Sequence, residues 1–345
     1  MSQTVLSTRT GNTGFITLNR PAAINALDMD MITAIASAFD DFSADDTIAA
    51  IIFEGMGTRG FCAGGDVRAV RQAALEDELA AADRFFAAEY ALNGAIAAAR
   101  KPVVALTDGV VMGGGIGLAG HARFRIATDQ SRFAMPESAI GFFCDVGVNA
   151  ILARAPLHRA LAFLMSGTIV PAADALGLGL TDCVIPQGAM AEVRDMLVTA
   201  IAEGDVATSI TNVMQAHGIH AGTAGFIANA DAHETIFKQA DAAAILQGLA
   251  ESDDSAAAAF LAVLTSRCPT SLEVIVRGQI AARKGTITDV LANDLALARW
   301  MVRRPDFAEG VRAVLVDKDK NAQWQPATIA EVDGAAIDAV LGQSL

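Results

Sequence analysis

The segment VVMGGGIGLAGH, residues 110–121, sets three glycines in a row, Gly113 to Gly115, and holds no acid. Glycine costs about 0.5–1 kcal/mol against alanine inside a regular element, so such a run marks backbone that must turn sharply or meet a ligand. Gly115, Gly117 and Gly120 fit GxGxxG, and Glu137 stands about where a ribose-binding acid would stand. A dinucleotide fold needs a full crossover helix there. RFRIAT resumes strand pattern only a few residues past Gly120, which leaves room for about two helical turns. The other reading is an oxyanion hole. A strand ends, the glycines turn the chain, and a short helix begins with N–H groups that have no intrahelical partner and lie at the positive end of its dipole. Without a Cβ in the way, a carbonyl oxygen can come close, and each donor of such a hole is worth roughly 2.7–4 kcal/mol. FCAGGD, residues 61–66, is a second glycine turn at a strand-to-helix junction. The two turns can supply one N–H each.

Several elements must position these turns. GFITLNRP alternates as a strand and stops at Pro21. Asp28 caps a helix that sets Ile32, Ile35, Phe39 and Phe42 on one face. AAIIFEG (49–55) and KPVVALTDG (101–109) read as buried strands, and one helical stretch fills roughly residues 67–100. ARFRIAT and SRFAMPE read as two short strands. This order predicts an α/β fold with several small parallel layers. Past Pro186 strand signals vanish and the chain turns helical and Ala-rich, with Gly-rich breaks around 218–225. A boundary near residue 190 divides a core, 1–190, from a mainly helical region, 191–345.

Composition narrows the function. At 345 residues and a formal charge of −14, the chain lacks a broad electrostatic footprint for nucleic acid. Its apolar runs fall short of the roughly 20 residues of a membrane span. MSQTVLSTRT has no basic start followed by an apolar stretch, so no secretory signal is expected. Cys62, Cys144, Cys183 and Cys268 lie far apart, which gives neither a CxxC knot nor a disulfide framework, and a reducing cytoplasm is the expected location. His121, His158, His217, His220 and His233 form no ligand set, and no GxSxG elbow occurs. No metal or other cofactor is expected.

FCAGGD, MGGGIGL, FAMPE and DVG, in this order and spacing, resemble the enoyl-CoA hydratase/isomerase (crotonase) superfamily over about residues 10–190. The resemblance implies a crotonase-like spiral of ββα units with a helical C-terminal region, and an acyl-CoA thioester substrate. It places the thioester oxygen between the N–H groups of Gly65 and Gly114. It also gives the CoA adenine to the backbone of Ala63, Asp66 and Val67. Hydratases of the superfamily carry a glutamate shortly after the glycines. Here Gly117 stands in that place, so only the second acid, Glu137, is kept. FFAAEY, FAMPESAIGFFCDVG, CPTSL and EGVRAVLVDKD extend the likeness over nearly the whole chain, toward a thioester-hydrolysing branch that acts on a short-chain 3-hydroxyacyl-CoA in valine breakdown. By motif position, catalytic and substrate contacts fall on Glu89, Gly114, Glu137 and Asp145. The chain departs from that branch at Cys144, where proline is usual, and at VNAILAR after DVG. Both departures bear on the shape of the acyl pocket.

Each residue has a plainer alternative. Glu137 could be solvated, Asp145 could cap a helix, Glu89 could face solvent or pair with Arg84, and Asp66 could cap the helix that also holds Arg68. Arg20, Arg59 and Lys101 are candidates for the CoA phosphates, although basic side chains on an acidic surface are commonly just solvated. The leading expectation is a CoA-thioester hydrolase with an acyl-CoA as its partner and the capacity to form a homo-oligomer. The alternatives are a hydratase or isomerase of the superfamily and a non-catalytic acyl-CoA-binding protein.

Overall fold

The computed structural model describes residues 3–342. In chain order its strands are β1 (Val5–Thr10), β2 (Thr13–Leu18), β3 (Ala50–Gly55), β4 (Gly60–Cys62), β5 (Val103–Thr107), β6 (Val110–Met112), β7 (Phe124–Thr128), β8 (Arg132–Ala134), β9 (Val170–Pro171) and β10 (Cys183–Ile185). The helices are α1 (Met29–Ala44), α2 (Val67–Leu75), α3 (Leu79–Ala97), α4 (Gly114–Gly120), α5 (Val148–Leu152), α6 (Leu157–Ser166), α7 (Ala172–Leu178), α8 (Met190–Ala202) and α9 (Val206–His217). They continue with α10 (Gly225–Ala232), α11 (Glu234–Phe237), α12 (Ala242–Ala250), α13 (Ser255–Leu264), α14 (Pro269–Ala282), α15 (Ile287–Val302), α16 (Pro305–Val311) and α17 (Gly334–Gly342).

Two compact units share these elements, each drawn from three stretches of chain. One takes residues up to 65, 91–133 and 170–224; the other takes 66–90, 134–169 and those from 225 on. In the first, a six-stranded sheet runs β1-β2-β3-β5-β7-β10 and a four-stranded sheet runs β4-β6-β8-β9. Pairing is parallel from β2 through β10 in the first sheet, and antiparallel between β1 and β2. Phe15, Ile52, Val104 and Ile126 of the large sheet pack with Val193, Leu197 and Ile201 of α8 and with Ile210 and Val213 of α9. Helices α8 and α9, beyond the boundary near residue 190, therefore cover the sheet of the first unit. No strand follows β10 among the described residues.

Several elements differ from their sequence reading for local reasons. The helical stretch over 67–100 is two helices, α2 and α3, broken where Asp77 takes φ +60°. Asp tolerates that left-handed conformation better than most residues. Asp28 does cap α1, accepting the Met31 N–H at 2.9 Å. On that helix Met31, Ile32, Ile35 and Phe39 are buried, whereas Phe42 is half-buried and lies over Gly14, where a Cβ would sit 2.7 Å from its ring. In SRFAMPE only Arg132–Ala134 is strand; Pro136 ends it and a 3-10 turn, Glu137–Ile140, begins.

The second unit is helical. Ten consecutive residues of α6 are almost all buried, and α10, α11, α13 and α14 pack against it. Phe142, just past the 3-10 turn, stacks on Phe86 of α3 at 5.3 Å and meets Phe307 of α16 at 5.5 Å. Close approach here depends on two glycines. Gly141 has φ +68°, and a Cβ on it would come 2.2 Å from the Asp306 carbonyl oxygen. A Cβ on Gly310 would come 2.3 Å from the Ile140 carbonyl carbon. The EGVRAV segment thus seats α16 directly against the turn that carries Glu137.

Candidate active site

In the first unit the two glycine turns are brought side by side. Strands β4 and β6 run parallel, with Cys62 opposite Val111, so FCAGGD and MGGGIGL leave the small sheet at the same strand ends. A Cβ on Gly64, whose φ is +103°, would lie 3.5 Å from the Gly114 nitrogen. A Cβ on Gly115 would strike the Cys62 carbonyl oxygen at 2.7 Å. Only glycine permits this approach. Gly114 is the first residue of α4, so its N–H has no intrahelical acceptor. Around Gly65 the pairing with Leu27 runs through the neighbouring Gly64, whose carbonyl accepts the Leu27 N–H at 2.8 Å. The α4 helix has seven residues, too short for the crossover helix of a dinucleotide fold.

Among the other residues of this loop, Ala63 is exposed and Asp66 and Val67 are half-buried. Asp66 is the N-cap residue of α2 but makes no side-chain capping bond to it. Arg20, Arg59 and Lys101 each hold backbone carbonyls. Arg20 reaches the Ala26 oxygen at 3.0 Å and Arg59 the Pro21 oxygen at 2.9 Å. Lys101 reaches the Phe42 and Asp45 oxygens, past the end of α1, at 2.7 and 2.6 Å.

In the second unit Glu89, Glu137 and Asp145 are all buried, 3%, 8% and 6% exposed, which removes the solvated alternative for each. Arg84 is exposed and does not accompany Glu89 inside. Burial pushes the Glu89 and Glu137 carboxyls well above the ordinary carboxyl range, and the Asp145 charge near both adds to it. Burial also raises Asp145, to about 6, while a hydrogen bond from Tyr90 works the other way. That bond, Tyr90 Oη to Asp145 Oδ2, is 2.6 Å long. Like charges in one buried region oppose one another's ionisation. The Tyr90 hydroxyl is the donor that favours the charged form of Asp145. Glu89 Oε1 and Glu137 Oε2 have no partner among the described residues, so each keeps an oxygen for an incoming group.

Asp145 is not a helix cap. The N-cap of α5 is Gly147, and its N–H goes to Asp294 Oδ2 of α15 at 2.8 Å. Cys144 is buried, its thiol pushed up by burial and by the Glu137 and Asp145 charges. Asn149, in the divergent VNAILAR segment, ties its Nδ2 to the Cys144 carbonyl at 3.1 Å. His158 and His233 are structural, bonded to Asp231 at 2.8 Å and to Asp254 at 2.7 Å.

Tyr90 and Asp294 escaped the sequence reading, yet each left a signal. Tyr90 is the only tyrosine of the chain and directly follows Glu89 in FFAAEY. Asp294 falls in helical register with Val290, Leu297, Ala298 and Met301 on the buried face of α15, a place where an acid needs a reason.

Residues 13–341 match the family model described as enoyl-CoA hydratase/isomerase. The chain is 34% identical over 336 residues to the mitochondrial 3-hydroxyisobutyryl-CoA hydrolase of Xenopus tropicalis, spanning 96% of this chain and 87% of that protein. It is also 34% identical over 334 residues to the Homo sapiens protein of the same name, spanning 96% and 86%. Among solved structures, a carnitinyl-CoA dehydratase from Mycobacterium thermoresistibile superposes with a TM-score of 0.90 at 33% identity, covering 99% of this chain and 96% of that one. An enoyl-CoA hydratase from Rhodobacter sphaeroides 2.4.1 gives 0.90 at 29% identity, with 99% of both chains covered. The named hydrolases are mitochondrial enzymes, which overturns the expectation of a cytoplasmic location drawn from cysteine usage. Scattered free cysteines do not say which compartment holds the chain. The α/β fold is that of crotonases, and the chain belongs to the enoyl-CoA hydratase/isomerase family.

Proposed function

We propose that the chain is an acyl-CoA thioester hydrolase whose preferred substrate is 3-hydroxyisobutyryl-CoA, which it converts to 3-hydroxyisobutyrate and CoA in valine breakdown. One observation carries this reading above hydration: Gly117 stands in the interior of α4 where a two-carboxylate hydratase needs its first acid, while Glu137 and Asp145 are buried together elsewhere. The names of the sequence relatives support it.

The residues divide the work by type. The N–H groups of Gly65 and Gly114 donate to the thioester oxygen as it gains charge. The Glu137 carboxylate acts at the thioester carbon, in one of two complete forms. It attacks, giving an anhydride that water then opens, or it takes a proton from the attacking water. In both, the C–S bond breaks and the sulfur leaves as the thiol. The acyl carbon takes its new oxygen from water when water attacks it directly or opens the anhydride there, and from Glu137 when water opens the anhydride at the glutamyl carbon. Label found in Glu137 after a single turnover in labelled water therefore marks the anhydride route. Asp145 accepts a hydrogen bond from the 3-hydroxyl, Glu89 lines the acyl site, and Ala63, Asp66 and Val67 take the adenine. CoA is part of the substrate and no further cofactor takes part.

The deciding assay follows free thiol from 3-hydroxyisobutyryl-CoA and hydration of crotonyl-CoA with one preparation. Thiol release well above hydration is expected. Fast hydration without thiol release would sink the hydrolase reading, and binding with neither activity would favour an acyl-CoA-binding protein.

A further inference from the structure

The turn after Asp145 holds a conformation that its residues do not favour. Val146 has φ +54° and Gly147 φ +71°. Glycine takes such angles freely. A β-branched residue does not, and strain of this kind persists only where the surroundings fix it. Two buried groups do so, one on each side of Val146. Before it, the Tyr90 hydroxyl donates to Asp145 Oδ2 at 2.6 Å. After it, the Gly147 N–H donates to Asp294 Oδ2 at 2.8 Å. Tyr90 comes from α3 and Asp294 from α15, elements far apart in sequence. The Tyr90 ring is itself packed, 5.8 Å from the ring of Phe86.

We propose that Tyr90 and Asp294 are positioning residues that clamp the two ends of the Asp145–Gly147 turn and thereby aim the Asp145 carboxylate at the substrate hydroxyl. Only the last clause rests on the hydrolase reading; the clamp itself does not. Charge supports the assignment. The groups that face Asp145 are Glu89 and Tyr90 from α3, Glu137 and Cys144 from the segment before the turn, and Asp294 from α15. None is a cation. The Tyr90 O–H is the side-chain donor that favours the ionised form of Asp145. Burial pushes Asp294 well above the ordinary carboxyl range, and its bond from the Gly147 N–H needs an acceptor oxygen rather than a charge.

The first test needs no activity. Because Tyr90 is the only tyrosine, 13Cζ-tyrosine labelling gives a single resonance from it. That resonance should shift with a midpoint near pH 6, following Asp145, and should stay flat over the same range in Asp145→Asn. A flat wild-type resonance overturns the clamp, whatever the enzyme catalyses. The second test uses turnover of 3-hydroxyisobutyryl-CoA and of isobutyryl-CoA. Tyr90→Phe keeps the ring and should lower kcat/KM for the hydroxyacyl substrate at least tenfold, with a smaller loss for the plain one. The titration of Asp145 itself should move to higher pH, because its carboxylate loses a donor. Asp294→Ala should do the same to rate and preference. Asp294→Asn retains an acceptor for the Gly147 N–H and should recover most of the loss. Equal loss in Ala and Asn would reduce Asp294 to a packing residue. An unchanged preference in Tyr90→Phe would remove Tyr90 from the clamp. If the resonance titrates as expected while wild type releases no thiol, the clamp stands and the hydrolase reading fails.

Discussion

Glu137 and Asp145 lie eight residues apart in sequence and have different partners. Asp145 has the Tyr90 hydroxyl at 2.6 Å, while one oxygen of Glu137 has no partner. If Glu137 supplies the reacting carboxylate, Glu137→Gln should cut turnover by roughly 10²–10⁴-fold and leave acyl-CoA binding intact. Near-normal turnover would assign the reaction to another group. The pH profile follows from the burial of Glu137. Its acid limb should lie well above the ordinary value of 4.5, and the rate should fall as pH drops through it. Asp145→Asn removes a neighbouring negative charge, so that limb should shift toward lower pH; a fixed limb would mean that the titrating group is not Glu137. If Asp145 takes the 3-hydroxyl, it also has a selectivity signature. A hydrogen bond to a charged carboxylate is worth about 1.5–3 kcal/mol, so Asp145→Ala should shrink the preference for 3-hydroxyisobutyryl-CoA over isobutyryl-CoA by roughly 10–100-fold. The acids could be named from sequence because MPE and DVG surround them with recognisable neighbours. Their burial could not, since an isolated Glu or Asp is ordinarily at the surface. Tyr90 and Asp294 act through partners 55 and 147 residues distant, separations that local pattern does not register.

At the scale of elements, the glycines explain how short segments stay in place. The 3-10 turn bearing Glu137 makes few internal hydrogen bonds, and α16 supports it from outside through Gly310 and Gly141. Gly310→Ala would force a methyl group to within 2.3 Å of the Ile140 backbone, which cannot yield as a flexible side chain would. Overpacking typically costs 1–3 kcal/mol. A loss of about that size is expected in urea unfolding, with turnover falling further than stability because the displaced turn carries Glu137. An unaffected turnover at equal folded fraction would separate α16 from the site. The strands β2, β3 and β5 were legible because continuous apolar runs sit between turn residues. Strand β1 was not. Its polar, exposed VLSTRT lies at the sheet edge and is held by backbone pairing with β2. The break at Asp77 was hidden because its neighbours on both sides favour helix.

Across the whole molecule, an excess of acids is combined with acids placed where charge is costly. The chain carries a formal charge of −14, and four carboxyls, Glu89, Glu137, Asp145 and Asp294, are buried in one unit. Burial raises all four above their ordinary values. A raised acid binds its proton more tightly in the folded state than in the unfolded one. Between the two pKa values the fold therefore loses stability as pH climbs, and the loss is complete above the folded value. For Asp145 that window runs from 3.8 to about 6; for the others it opens in the same ordinary range and extends higher. These groups make the fold most secure in mild acid, against the common case of carboxylates stabilised by ion pairs. Asp294 gives the cleanest check because its work for Gly147 needs an acceptor oxygen and no charge. Asp294→Asn keeps the oxygen and removes the titration. Its Tm should exceed that of wild type at pH 8, and the gap should close as pH falls toward 4. A gap that is absent at pH 8, or one that persists unchanged into acid, would show that Asp294 carries no charge penalty and that the pH dependence of the fold has another source.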